Sequence, residues 1–454
     1  MPVSAARAAA FDILLRVERD SSYASELLHS TEQETLSTPD HALATELVMG
    51  VLRWRPRLDD EIAQASSQPL SKLDLEIIIA LRLALYQFRW LDRIPQRAAL
   101  HESVELVKRA RKRSAAPFVN AVLRKLSTAA FSSAPQIRDS LPEDEAASPE
   151  TLARVLAHPL WMVERWANEY GLSAAHQVCK HNQSIPHTAI RLRTAASESE
   201  LNEEEIKLSP GGLLSSARRV EAGDVTKTQS FHVGHIVIQD EASQLVAALV
   251  GRGERILDCC AAPGGKTLAI ADHNSSATIT AVELHAHRAR LLQRMLPKQD
   301  TSAARIQIVV ADAQHLPTSP PFDRVLADVP CSGTGTLARN PEIKWRLAPD
   351  DLTQLHQRQR AILRSALAQV APGGRIIYST CSLEKEENED VVEHILAENN
   401  SFRVLDIRTE LERMNAAGEL TWQDTAALQR GPYLRTIPGI HPCDGFFAAI
   451  LERV

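Results

Sequence analysis

The chain has 454 residues, too many for one ordinary core, so two to four domains are expected. Its 44% hydrophobic and 24% charged residues are those of a soluble globular protein, and a net charge of -6 excludes whole-molecule attraction to nucleic acid, leaving only a local basic patch. No run reaches the ~18–20 apolar residues of a membrane span, the opening Met-Pro-Val-Ser-Ala-Ala-Arg lacks an apolar signal core, and the six cysteines form no C-x-x-C pair. A cytoplasmic protein with no membrane segment and no metal site is expected.

Residues 4–126 read as helical. Ala5, Ala8, Ala9, Phe11, Ile13, Leu14, Leu15 and Val17 form a wide apolar face, and residues from Leu73 to Leu85 form a buried central helix. Val104, Leu106, Val107, Val119, Val122 and Leu123 continue the pattern without strand-like alternation, so an all-α bundle over residues 1–130 is expected. From Arg93 to Lys125 the chain carries nine basic residues against Glu102 and Glu105, a local charge of +7. Its centre, Lys108, Arg109, Arg111, Lys112 and Arg113, reads either as a solvated helix end or as an RNA contact. Residues 131–150 are small, acidic and punctuated by proline, as in a linker. Over 151–233, helices near Pro159–Trp166 and Ala174–Asn182 and short strands at 188–194, 211–214 and 231–239 imply a small α+β module.

Residues 234–454 alternate strands with helices. Strands at 255–259, 278–283, 306–310, 324–327 and 375–379, a helix near 350–371 and closing strands at 402–407 and 445–451 imply an α/β domain with a doubly wound, mainly parallel sheet. Such a sheet places its chemistry at the carboxyl ends of its strands.

Five of those ends carry candidate chemistry. Asp258-Cys-Cys-Ala-Ala-Pro-Gly-Gly-Lys-Thr267 joins a strand to a helix, and Gly264 and Gly265 let a ligand approach the backbone and the helix N-terminus. The next strand ends in Glu283, nineteen residues after Gly264, where an acid can accept from both ribose hydroxyls of an adenosine. A third ends at Asp312, placed for an adenine amino group. Each acid alone is explained equally well as a helix cap, whereas the three together fit an adenosine ligand without phosphate. The remaining motifs, Asp328-Val-Pro-Cys-Ser-Gly-Thr-Gly335 and Tyr378-Ser-Thr-Cys-Ser-Leu383, each bring one cysteine to a neighbouring strand end. Two thiols there suggest a covalent intermediate that must be both made and undone.

Residues 234–454 resemble the RNA 5-methylcytosine methyltransferases that depend on S-adenosylmethionine. The likeness lies in Asp258–Thr267, Ala281-Val-Glu-Leu…Arg288, Ala311-Asp312, Asp328–Cys331, Thr380-Cys-Ser382 and Asp444-Gly-Phe-Phe447. Gln239–Leu245 is similar to the segment before the family's first strand, and Arg339–Trp345 to its lid. Arg7–Leu14, Glu46–Arg53 and Pro117–Arg124 resemble NusB, an RNA-binding antitermination factor. The combination is similar to the bacterial small-subunit rRNA (cytosine-C5) methyltransferases of the RsmB (Fmu/Sun) type. The family more often has Asp at position 283, and an apolar residue where Cys259 stands.

The resemblance implies a Rossmann-like methyltransferase domain. It implies that Cys260, Ala261, Ala262, Pro263, Gly264, Gly265, Lys266, Glu283, Arg288, Asp312 and Asp328 hold S-adenosylmethionine. It makes Cys381 the nucleophile, Asp328 the partner of the cytosine N3/N4 edge, Lys266 an orienting group and Cys331 the residue that assists proton loss or release. DNA cytosine methyltransferases use a Pro-Cys cysteine instead, so the two thiol roles are open to exchange. Small-subunit rRNA is the implied partner, with Arg191 and Arg193 of the middle module also touching RNA and Trp345 either stacking on it or buried in a core. The same chemistry on tRNA, or a non-catalytic assembly or antitermination factor, are the alternatives. A monomer is expected.

Overall fold

The structure is a computed structural model that describes residues 3–20, 22–30, 36–128, 148–194, 197–296, 304–317 and 321–454. Most of the expected linker, residues 131–147, lies outside the described residues. Two compact units divide the chain: residues 1–185 with 337–346, and residues 186–336 with 347–454. The division at 185/186 falls inside the segment read as a middle module, whose helices go with the first unit and whose strands go with the second.

The first unit is helical. Helices Ala5–Asp20, Thr38–Ala65, Leu75–Trp90, Gln96–Arg109 and Ala116–Leu126 surround a core that includes Phe11, Leu14, Leu47, Leu58, Leu81, Leu85, Val119 and Leu123. Ser37 starts the longest helix by accepting from the Asp40 N–H, with a proline in its first turn. Helices Pro149–Val155, Leu160–Tyr170 and Leu172–Gln183 complete the sequential part. The segment Leu337–Arg346 then joins this unit from far along the chain. Glu342 Oε1 accepts from the Ala24 N–H (2.9 Å), Trp345 Nε1 donates to Leu52 O (2.6 Å), and Lys344 Nζ donates to Arg53 O (3.1 Å) and Ala157 O (3.0 Å).

The second unit holds two sheets. The smaller is antiparallel, in the order β2 (Lys207–Pro210), β3 (Ala217–Ala222), β1 (Thr188–Leu192), β4 (Ile236–Ile238). The apolar stretch 211–214, expected as a strand, is instead a bend that keeps only an isolated bridge from Leu214 to Leu420, because the Glu241 carboxylate accepts from the N–H groups of Gly212, Leu213 and Leu214 (2.8, 2.6 and 3.2 Å). A backbone that spends its donors this way has none for a ladder.

Among the described residues the larger sheet has nine strands. A parallel block runs β9 (Val370–Thr380), β8 (Phe322–Asp328), β5 (Arg255–Asp258), β6 (Thr278–Glu283), β7 (Arg305–Val310). β13 (Phe447–Arg453) adds antiparallel to β9 and pairs in turn with β12 (Tyr433–Arg435) and β10 (Phe402–Leu405), and β11 (Gln429–Arg430) pairs with β12. Alternation along the strands fills a core on each face. Leu326, Ile377 and Ala448 belong to one, and Val325, Ala327, Ile376, Tyr378 and Phe447 to the other. The parallel strands therefore end side by side, with Asp328 in register with Ser379.

Candidate active site

The turn after β5 is built for close approach. Gly264 has φ +118°, a conformation that L side chains rarely adopt, and a methyl group there would meet Leu292. The helix Gly265–His273 starts immediately after it. Cys260, Ala261, Ala262, Pro263, Gly264, Gly265 and Lys266 line one pocket together with Gln239, Ser243, Asp258 and Asp328. Asp258 is buried; Thr267 Oγ1 donates to its Oδ2 (2.7 Å), and burial, reinforced by the nearby Asp328 charge, raises its pKa to about 6. Among the described residues, Asp258 Oδ1 and Gln239 Oε1 are buried acceptors without a hydrogen-bond partner. Two unfilled acceptors around a glycine turn fit a ligand that brings N–H or cationic groups, as the amino-acid end of S-adenosylmethionine would.

Glu283 and Asp312 end neighbouring strands but do not line that pocket. Glu283 Oε1 accepts from the His285 N–H (3.0 Å), and Asp312 Oδ1 from the Gln314 N–H (2.9 Å), so each shapes its own turn. Arg288 Nη2 reaches Ala262 O at 3.4 Å, on the rim of the glycine turn.

The two cysteines meet. Cys331 Sγ and Cys381 Sγ lie 3.3 Å apart, both half-buried. The hydrogen bond to Cys381, followed by burial, holds the Cys331 thiol well above its ordinary pKa, with the Glu387 and Asp328 charges adding to the effect. Beside them Lys266 Nζ pairs with Asp328 Oδ2 at 2.8 Å, and Ser379 Oγ donates to Asp328 Oδ1 at 2.8 Å. Burial opposes the Lys266 ammonium, but the Asp328 charge and hydrogen bond outweigh it and raise its pKa; the Cys381 charge acts in the same direction.

Sequence reasoning overlooked the buried groups behind the thiols. Glu387 and Asn388, within a run that reads as a solvated acidic helix start, are fully buried. Glu387 Oε1 accepts from the Ser332 N–H (2.8 Å) and Gln359 Nε2 (2.8 Å), while Oε2 accepts from the hydroxyls of Ser332 and Ser382. The glycines of the cysteine motif also have a steric reason. Gly335 N donates to Cys381 O (2.9 Å), Gly445 N donates to Gly335 O (2.8 Å), and a methyl group at 335 would collide with the Gly445 carbonyl.

The two arginines of the middle module expected to touch RNA share one carboxylate. Arg191 and Arg193 both grip Asp272, Arg191 through Nη1 at 2.7 Å and Arg193 through Nε and Nη2 at 2.9 and 2.6 Å. Arg191 is only 4% exposed, so it belongs to the fold, and Arg193 is committed to the same carboxylate. In the helical unit, Lys108, Arg109 and Lys112 form surface ion pairs with Glu105, Asp12 and Asp74, while Arg111 and Arg113 are exposed. Trp345 is half-buried in that unit, with Arg55 5.9 Å from its ring centre. Among the described residues no helix is long and apolar enough to cross a membrane, and no group of three His, Cys, Asp or Glu side chains is placed to hold a metal ion.

Residues 248–452 match the family model described as 16S rRNA methyltransferase RsmB/F, and residues 4–128 match the NusB family. A probable ribosomal RNA small subunit methyltransferase B from Bacillus subtilis (strain 168) is 32% identical, covering 100% of both chains. The ribosomal RNA small subunit methyltransferase B of Vibrio cholerae is 30% identical, covering 98% of this chain and 97% of its own. Among solved structures, PH0851 covers 99% of this chain and 98% of its own with a TM-score of 0.75 at 23% identity, a likeness of fold. NSun6 from Pyrococcus horikoshii, solved with SFG, covers 65% of this chain and 98% of its own with a TM-score of 0.53 at 19% identity.

The fold is that of a NusB-like helical domain followed by a methyltransferase domain on a mixed, mostly parallel sheet. The chain belongs to the 16S rRNA methyltransferase RsmB/F family and is an RNA methyltransferase of that type.

Proposed function

We propose that this protein transfers a methyl group from S-adenosylmethionine to C5 of a cytosine in small-subunit rRNA, through a covalent bond between Cys381 and C6. The observation that carries this reading is the thiol pair, 3.3 Å apart beside the Lys266–Asp328 ion pair. Cytosine C5 is a poor nucleophile while the ring is aromatic. Bonding Cys381 Sγ to C6 frees the C5=C6 electron pair to act from C5 as an enamine. S-adenosylmethionine, when bound, supplies the electrophilic methyl group. Cys260–Lys266, Gln239 and Asp258 are the residues that would hold it, with Glu283, Arg288 and Asp312 shaping the strand ends around it.

Asp328 serves the base. A carboxylate has about four acceptor positions, so Ser379 and Lys266 leave room to accept from the cytosine N4 amino group, and from N3 once that atom carries a proton, while Lys266 orients the carboxylate. Loss of the C5 proton and departure of the Cys381 thiolate restore the ring. Cys331, kept as a thiol and within reach of Cys381, assists that release. The target base must leave any stack to expose both faces. The exposed basic run of the helical domain holds rRNA phosphates and sets register.

Cys381→Ala is expected to abolish methyl transfer and covalent trapping on RNA containing 5-fluorocytosine. Cys331→Ala is expected to accumulate a covalent enzyme–RNA complex visible as a shifted band on a denaturing gel. Methylation retained by Cys381→Ala would overturn the assignment.

A further inference from the structure

We propose that Glu387 is a positioning residue that clamps the two cysteine loops at their working distance. The inference rests on the reading above, in which Cys331 and Cys381 act as a pair.

Each cysteine sits on a loop that follows a different strand, β8 or β9; further along, the loops are joined by Gly335 N–H to Cys381 O (2.9 Å) and Leu383 N–H to Thr334 Oγ1 (2.9 Å), and next to the sulfurs the shared partner is Glu387. Glu387 holds the residue after each cysteine. It takes both the backbone N–H and the hydroxyl of Ser332, and the hydroxyl of Ser382. Those two hydroxyls also lie 3.1 Å apart. Gln359, from the helix Pro349–Leu367, supplies a fourth donor and ties the carboxylate to the Cys331 loop a second time by donating to Pro330 O (3.0 Å). The neighbouring Asn388 braces the other side of Cys381. Its Oδ1 accepts from Thr380 Oγ1 (2.5 Å) and its Nδ2 donates to Ser382 O (2.9 Å). Tyr378 Oη donates to the Glu387 carbonyl (2.6 Å), which fixes the backbone of the clamp itself.

A fully buried carboxylate held by neutral donors is costly to desolvate, and an apolar side chain of similar volume would fill the space more cheaply. What the carboxylate provides is connectivity. One group with two oxygens joins loops fifty residues apart in sequence and sets the separation of the adjacent sulfurs. Misplacement by about 1 Å costs reactions of this kind on the order of a hundredfold.

The test compares Glu387→Ala and Glu387→Gln with wild type in the full-length protein. The amide of glutamine can still accept from Ser332 N–H and Gln359, and its NH2 can donate to both serine hydroxyls. Three quantities are read: melting temperature, methyl transfer to small-subunit rRNA, and the rate at which diamide links Cys331 to Cys381. In the last reaction the two thiols lose two electrons and two protons, an S–S bond forms, and diamide is reduced to the hydrazine. It reports the distance between the sulfurs without any catalysis. Glu387→Ala is expected to lose transfer by about a hundredfold and disulfide formation by roughly tenfold, with Glu387→Gln recovering most of both. Should Glu387→Ala fail to fold, Gln359→Leu removes one donor and is expected to slow both reactions in the same direction. Wild-type rates of disulfide formation in the alanine or leucine variant would overturn the clamp, as would equal losses in alanine and glutamine. If wild type itself transfers no methyl group to cytosine, the proposed function fails, while the disulfide rates still judge Glu387.

Discussion

At the scale of single residues, Asp328 carries two loads: Ser379 on one oxygen and Lys266 on the other. Neither side chain of the ion pair is fully exposed, at 14% and 24%, so breaking it strands a charge in a poorly hydrated place. Lys266→Met is therefore expected to lower stability by about 2 kcal/mol and to slow methyl transfer by on the order of a hundredfold. The two residues act as one unit, so Lys266→Met combined with Asp328→Asn should be no slower than Asp328→Asn alone. Single-turnover transfer rates for the four proteins of the double-mutant cycle check this. Effects that simply add would show that the lysine works independently of the aspartate.

At the scale of elements, the short helix Ile343–Arg346 shows how one lysine can tune a segment. Lys344 is 1% exposed, and burial lowers its pKa to about 7. Unfolded, the same lysine titrates near 10.4. Between those values the unfolded chain binds more protons than the folded one, so stability rises with pH through this window and is lost as pH falls towards 7. Lys344→Met removes that dependence. The stability of wild type relative to the variant is expected to improve by about 2 kcal/mol from pH 7 to pH 9, measured by denaturant unfolding at each pH. A difference that stays flat over that range would place the ammonium in water rather than among carbonyls. No sequence pattern announces this lysine, which sits between Ile343 and Trp345. The same holds for Glu387, which reads as one charge in an acidic stretch, and for Glu241, whose capture of three backbone N–H groups turns an apolar stretch into a bend. Their partners come from distant parts of the chain, and spacing carries no trace of such contacts. By contrast, the parallel strands were legible because both faces of the sheet are buried, so each strand reads as a short continuous apolar run. The glycine turn and the cysteine ends were legible because the chemistry uses local runs of residues.

At the scale of the whole molecule, a net charge of -6 and a local run of +7 make rRNA binding a matter of where charge lies. Within the run the five central residues are not equivalent. Lys108, Arg109 and Lys112 already face Glu105, Asp12 and Asp74, so binding RNA there must compete with an existing partner. Arg111 and Arg113 are exposed beside them, Arg111 on a turn with φ +62° that follows the helix Gln96–Arg109. Each phosphate neutralised releases condensed counterions, and for single strands each contributes about 0.7 to the slope of log affinity against log salt. Arg111→Ala with Arg113→Ala is expected to weaken binding to a small-subunit rRNA fragment and to reduce that slope by about 1 to 2. The melting temperature should not change, because both arginines are exposed. Arg191→Gln supplies the opposite pattern: it breaks a buried pair with Asp272, so it should lower the melting temperature and leave the salt slope alone. Titrations of fluorescent rRNA at several salt concentrations separate the two. An unchanged slope in the Arg111/Arg113 variant would move the phosphate contacts off this run.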